Sequence, residues 1–73
     1  MKAKIIRIGK EDAVKLDGIE KRFIGRTGEF HPGDERDQKG YFDGHFIFDD
    51  PAGLFLIGDS FYFFSVKVKE VKE

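Results

Sequence analysis

Hydrophobic and polar residues alternate along much of this chain with the period of two that is typical of β-strands. Residues 2–8 are rich in β-branched side chains and predict a first strand. The alternation slips at Ile5 and Ile6, which indicates a bulge or burial on both faces. Val14 and Leu16, two residues apart, favour a second short strand within residues 10–18. A one-turn helix over residues 11–16 is the alternative, and Gly9 gives it no capping side chain.

Residues 23–30 predict a strand that is entered through a bend. Gly25 and Gly28 lie three residues apart with large apolar residues on both sides. A glycine in a strand marks a bulge or a close approach of another backbone, because only glycine tolerates the dihedral angles and leaves the space. The two glycines therefore predict corners of a small, strongly bent sheet rather than a ligand-binding loop.

Residues 31–40 contain Pro and Gly but no large aliphatic or aromatic side chain, and they predict a long polar loop. Residues 41–48 form the clearest strand. Its expected inner face consists of Phe42, Gly44, Phe46 and Phe48, and its outer face of Tyr41, Asp43, His45 and Ile47.

The remaining chain predicts a tight turn at residues 49–53, a return strand at 54–57 and a final strand at 61–71. A turn or kink near Ser65 is expected, because the pattern there changes from aromatic to alternating Val and Lys. Lysines on an exposed edge strand would discourage aggregation. Five or six short antiparallel strands without a helix predict an all-β barrel.

The chain has 73 residues, enough for one domain spanning residues 1–73, and no cysteine. Disulfides and thiolate zinc sites are therefore excluded, and nine Phe and two Tyr must supply most of the core. The net charge is −1, but residues 1–30 carry +3, residues 31–60 carry −5 and residues 61–73 carry +1. No signal peptide or membrane segment is evident, and we expect a complete cytoplasmic protein.

The sequence Gly25-Arg26-Thr27-Gly28-Glu29-Phe30 is similar to the Gly-x-x-Gly-x-apolar core of KOW sequences. With the polar loop, the aromatic strand and the closing Val-Lys-Val strand, residues 14–71 resemble an SH3-like barrel. The nearest relatives by this resemblance are KOW-type domains and small SH3-like proteins of phages and prophages. The resemblance implies binding of RNA, other nucleic acids, or transcription and translation proteins. The acidic middle of the chain departs from the nucleic-acid-binding members.

Recognisable catalytic or metal-binding constellations are missing from the sequence. His31, His45, Ser60 and Ser65 lie in no nucleophile or zinc pattern, and we expect them to be structural or surface residues. The acidic residues form no calcium-loop series, and Asp49-Asp50-Pro51 is better explained as a turn. No enzyme activity, cofactor or metal is expected.

Two binding surfaces are conceivable. A barrel of this size need not bury all its rings, and the candidates for partial exposure are Tyr41, His45, Phe61, Tyr62 and Phe63. The leading hypothesis is a non-enzymatic adaptor for a protein partner. Its contact surface would be the acidic loop and nearby rings, with the residues Asp34, Glu35, Tyr41, His45 and Tyr62. A monomer or a weak dimer formed through a free edge strand is expected.

The alternative hypothesis is nucleic-acid binding. In SH3-like barrels the chain ends commonly lie close together, which would gather cations of the two terminal strands into a ridge. The residues of this ridge would be Lys2, Lys4, Arg7, Lys67, Lys69 and Lys72, with Arg26 as an optional seventh member. The net charge of −1 and the edge-protection role of lysines argue against this hypothesis. The sequence alone does not identify a partner or a biological process.

Overall fold

The computed structural model describes residues 1–36 and 40–72, and the side chains of these residues except 34–36. Four strands, one α-helix and one short 3-10 helix are present in this part of the chain. In order they are β1 (Lys2–Ile8), α1 (Lys10–Leu16), the 3-10 helix Glu20–Arg22, β2 (Thr27–Arg36), β3 (Phe42–Phe48) and β4 (Ser60–Glu70).

The four strands form an antiparallel sheet that closes on itself. β1 pairs with β2 and also with β4, while β3 lies between β2 and β4. The register of β1 against β4 shifts between Ile5 and Arg7, which confirms the irregularity predicted at Ile5 and Ile6. The register of β3 against β4 shifts where Phe42 opposes Val66 and Gly44 opposes Phe63. The predicted irregularity near Ser65 is therefore a bulge within β4.

Phenylalanine side chains fill the space enclosed by the sheet. The Phe23 ring lies at the centre, 5.6 Å from the Phe48 ring and 6.1 Å from the Phe63 ring in edge-on arrangements. Such aromatic pairs are favoured beyond the apolar area that they bury. As predicted, Phe46 and Phe48 of β3 face this core. The prediction that Phe63 is partly exposed was wrong, because the bulge at Phe64 and Ser65 turns Phe63 and Val66 inward together.

The predicted second strand within residues 10–18 is instead the helix α1, and the expectation of a fold without helix was wrong. Val14 and Leu16 do not share a face, since Val14 is exposed and Leu16 is buried. The buried partner of Leu16 is Asp12, four residues earlier, as on one face of a helix. Because the inward residue is an aspartate, the hydrophobic pattern concealed this helix.

Asp12 connects α1 to the bulge of β4. Its carboxylate is completely buried and accepts hydrogen bonds from the backbone N–H of Phe64 at 3.1 Å and of Ser65 at 2.7 Å. The N–H of Gly9 donates to the carbonyl oxygen of Ser65 at 2.7 Å. A bulge leaves backbone groups without ladder partners, and here the helix and its N-terminal glycine supply those partners.

Gly25 and Gly28 have different structural roles. Gly25 has a φ of +88° in the turn before β2, so the predicted strand begins at Thr27 and not at Phe23. A Cβ atom on Gly28 would lie 2.1 Å from the carbonyl oxygen of Ile47. The close backbone approach predicted for the pair is therefore confirmed at Gly28, where β2 meets β3.

Two expected loop and strand boundaries were also wrong. The predicted loop at 31–40 is strand as far as Arg36, and residues 37–39 lie outside the described residues. The predicted return strand at 54–57 belongs to an irregular connection between β3 and β4. Leu54 is fully buried and anchors this connection to the core. With one expected strand helical and another irregular, the described residues contain four strands where five or six were expected.

We predict that Asp12→Ala strongly destabilises the protein, because it leaves two amide groups near the interior without an acceptor. Each unsatisfied group costs about 1–3 kcal/mol, and a core of this size rarely supplies more than ~3–5 kcal/mol in total. Asp12→Asn retains one acceptor oxygen and should have an intermediate effect. Urea unfolding followed by circular dichroism measures both, with the exposed neighbour Glu11→Gln as the control. Equal stability of the Asp12 and Glu11 variants would contradict this role.

Candidate functional site

The outer side of β4 and the adjoining part of β1 form the candidate site, which we call the β4 face. It consists of two rings and four cations: Tyr62, Phe64, Lys67, Lys69, Arg7 and Lys4. All six side chains are exposed. The rings occupy the first half of β4, and the cations occupy the second half together with β1.

The four cations lie opposite one another in like-charged pairs. Lys4 opposes Lys69 and Arg7 opposes Lys67 in the antiparallel register of β1 and β4. Side chains at opposed positions share a face with Cβ atoms about 4.5–5.5 Å apart, and like charges there are destabilising. Within the described part of the chain, the ion pairs involve the N-terminus and Lys2 and none of these four side chains. The arrangement thus concentrates positive charge on one face of the described residues.

Edge protection also fits the lysines of β4. β4 pairs with β3 along its first half and with β1 along its second half, so among the described residues Lys67 and Lys69 have a strand partner only in β1. The expected proximity of the chain ends is confirmed, because the start of β1 pairs with the end of β4. The prediction that Lys4, Arg7, Lys67 and Lys69 gather on one face is likewise confirmed by their register.

Tyr62 and Phe64 lie side by side at the other end of the β4 face. They are 49% and 51% exposed, and their ring centroids are 5.7 Å apart. The ammonium of Lys15 on α1 lies 3.7 Å from the centre of the Phe64 ring. The Tyr62 hydroxyl donates to Asp43 at 2.9 Å. Phe64 also borders a shallow groove, together with Lys10, Glu11, Val14 and Lys15 of α1.

The expected surface for a protein partner is assembled only in part. His45 lies opposite Tyr62 across β3 and β4, and His31 lies opposite His45 across β2 and β3. His45 is exposed, but Tyr41 is half-buried. Asp34 and Glu35 belong to β2 rather than to a loop, and their side chains lie outside the described residues. Phe61 is half-buried and packs against the core.

Three further cations proposed for the basic ridge have other positions or other partners. The Lys2 ammonium pairs with the Asp49 carboxylate, which also accepts from the Thr27 hydroxyl at 3.0 Å. The Arg26 guanidinium donates to the carbonyl oxygen of Asp50 at 2.8 Å and to that of Arg22 at 3.0 Å. Lys72 is exposed beyond the end of β4. Lys2 and Arg26 therefore hold the start of the β3–β4 connection, and their part in a basic ridge stays a prediction.

Ion pairing changes the acidity of two carboxyl groups. The hydrogen bond from Lys2, assisted by Thr27, lowers the pKa of Asp49 below its ordinary value. The hydrogen bond from the N-terminal ammonium lowers the pKa of Glu29, and the distance between the paired atoms is 2.8 Å. Both effects follow from stabilisation of the charged form by a cation.

An apolar tip on the β3–β4 connection had no counterpart in the sequence analysis. Phe55 is 75% exposed and Ile57 is fully exposed, and Phe55 has a φ of +57°. Such a backbone conformation is rare for a large side chain. The guanidinium of Arg22 lies 5.3 Å from the Phe55 ring centre. The hydrophobic pattern of residues 54–57 predicts a return strand, in which alternate side chains would be buried.

Among the described residues, no group of three or more His, Asp or Glu side chains is arranged to hold a metal ion. His45 belongs to the expected surface for a protein partner through its position opposite Tyr62. No helix in the described part of the chain has the length and apolar character needed to cross a membrane.

Comparison of the chain with models of protein families, with curated proteins and with solved structures gave no match. The candidate site is therefore defined by its own geometry and charge.

We predict that Asp49→Asn weakens the protein at neutral pH and has little effect in acid. Because the pKa of Asp49 is lowered by folding, its contribution to stability is present above the ordinary carboxyl pKa of about 4. It disappears as the pH falls through the lower value in the folded state. Urea midpoints of wild type and variant should therefore differ at pH ~7 and converge near pH ~2. Asp59→Asn makes the same charge change on the same connection and serves as the control. A constant difference across this pH range would contradict the Lys2–Asp49 pairing.

Proposed function

We propose that this protein is a small non-enzymatic nucleic-acid-binding domain that uses the β4 face. The observation that carries the proposal is the opposed register of Lys4 with Lys69 and of Arg7 with Lys67. These four cations form two like-charged pairs, which we call the cation rows, and they repel one another in the free protein. A chain of phosphates placed over the rows replaces that repulsion with attraction and releases counterions.

A net charge of −1 is compatible with this proposal because the charges are segregated. Two carboxylates that contact β4 are already engaged: Asp12 binds two backbone amides, and Asp43 accepts a hydrogen bond from the Tyr62 hydroxyl. At physiological ionic strength, exposed charges beyond about 8 Å are largely screened. A phosphate at these cations is therefore affected mainly by the charges that lie within that distance.

We also propose that the closed sheet is an SH3-like barrel of the KOW type, adapted to four strands. The supporting features are the glycine corner at Gly25 and Gly28, the aromatic β3 and the pairing of the chain ends. A cytoplasmic location and an origin in a phage or prophage accompany this proposal as predictions. The fold alone does not assign the ligand, so the argument for nucleic acid rests on the cations.

We predict that binding of an oligonucleotide of about ten residues weakens steeply with salt. Four phosphate contacts to a single strand give a slope of about −3 in log K against log salt concentration. The double variant Lys67→Gln/Lys69→Gln should reduce the slope to roughly half, since two of the four contacts are lost. Fluorescence anisotropy at several salt concentrations measures both values.

The control is Lys21→Gln, which removes one cation from the 3-10 helix outside the β4 face. Its slope should equal that of the wild type. Undetectable binding at low salt, or equal slopes for the double variant and the wild type, would contradict the proposal.

A protein partner is the second candidate, favoured by the exposed apolar tip of Phe55 and Ile57. Exposed clusters of large apolar side chains are frequent at protein interfaces. In this alternative an apolar pocket of the partner receives the tip, and the side chains of His45 and Tyr62 contribute a second contact.

The two candidates respond to different substitutions. If the protein is an adaptor, Phe55→Ser/Ile57→Ser should abolish a specific cross-link to a purified partner, while Lys67→Gln/Lys69→Gln retains it. If the protein is a nucleic-acid-binding domain, oligonucleotide binding should survive the first double variant and weaken in the second. An adaptor is contradicted when the tip variant retains every cross-link of the wild type.

A further inference from the structure

We infer that the preferred nucleic acid is single-stranded, with an unpaired base stacked at Phe64. This inference rests on the proposed function and identifies the ligand class. The cation rows alone would suit the phosphate backbone of either a single-stranded or a double-stranded nucleic acid. The rings at the other end of the same strand distinguish the two classes, because a base within a duplex already has both faces stacked.

The geometry at Phe64 offers a place for one base. Phe64 is half-exposed and Val14 of α1 is 71% exposed, and both side chains line the shallow groove. Lys10, Lys15 and Glu11 also line it, so two cations and one carboxylate accompany the two apolar side chains. A flat apolar base stacked on Phe64, with its phosphate near a lysine, suits this lining.

Lys15 currently occupies the position above the Phe64 ring, with its ammonium 3.7 Å from the ring centre. An exposed cation–π contact is weaker than the stacking of a base on an aromatic ring. When a base enters, the flexible lysine side chain can move to the phosphate and form a stronger, charge-assisted contact. Lys15 therefore occupies this site in the free protein and becomes a phosphate ligand in the complex.

The cations continue the path of such a strand. From Phe64 to Lys69 the outer side of β4 extends for roughly 16 Å at about 3.3 Å per residue. Arg7 and Lys4 lie beside Lys67 and Lys69 along this distance. The ring end holds a base, and the cation rows hold the phosphates of the following nucleotides.

The test compares single-stranded and duplex oligonucleotides of equal length, in DNA and RNA forms, by anisotropy at one low salt concentration. We expect the single strand to bind at least about tenfold more tightly than the duplex. Phe64→Leu retains the backbone amide that Asp12 binds, and circular dichroism checks its fold. It should weaken single-strand binding about fivefold or more and leave duplex binding unchanged.

The matched control is Phe55→Leu, which removes an exposed ring from the β3–β4 connection and should leave the preference intact. Equal affinity for single strand and duplex, or an unchanged preference in Phe64→Leu, overturns this inference while the proposed function stands. Failure of both oligonucleotide forms to bind overturns the proposed function itself. If only DNA or only RNA binds, the comparison of single strand with duplex in that form supports or overturns the inference by the same criterion.

Discussion

The contact between the Asp12 carboxylate and the bulge of β4 is the constraint on which the rest of this structure depends. The carboxylate of Asp12 binds the amides of Phe64 and Ser65, and this contact fixes the position of α1. The bulge in turn orients Phe63 and Val66 toward the core while Phe64 remains outside. One buried carboxylate thus connects the only α-helix of the described residues, the packing of the core and the exposure of the Phe64 ring.

The second organising feature is the closure of the sheet. Pairing of β1 with β4 brings residues from opposite ends of the chain into register and creates the two like-charged rows. This is an unfavourable arrangement for stability alone. The ion pairs of the described residues lie elsewhere, since Asp49 pairs with Lys2 and Glu29 pairs with the N-terminus. The proposal of an anionic ligand rests on this arrangement.

The connection between β3 and β4 illustrates how local contacts replace regular structure. Leu54 is buried, while Arg26 and Lys2 hold the start of the segment through the carbonyl oxygen of Asp50 and the carboxylate of Asp49. These contacts allow Phe55 and Ile57 to project into solvent. The hydrophobic pattern of the segment resembles that of a strand, but its backbone lacks a neighbouring strand with which to pair among the described residues.

Some features of this protein were encoded locally and could be predicted from the sequence. The period of two predicted β1, β3 and β4. The slip at Ile5 and Ile6 predicted a bulge, and Gly28 predicted a close backbone approach. Other features depended on contacts between distant residues. The helix α1 was missed because its buried face includes Asp12, whose partners lie more than fifty positions away. Likewise, the charges were visible in the sequence, but only the register of β1 against β4 decided which cations lie together and which are neutralised.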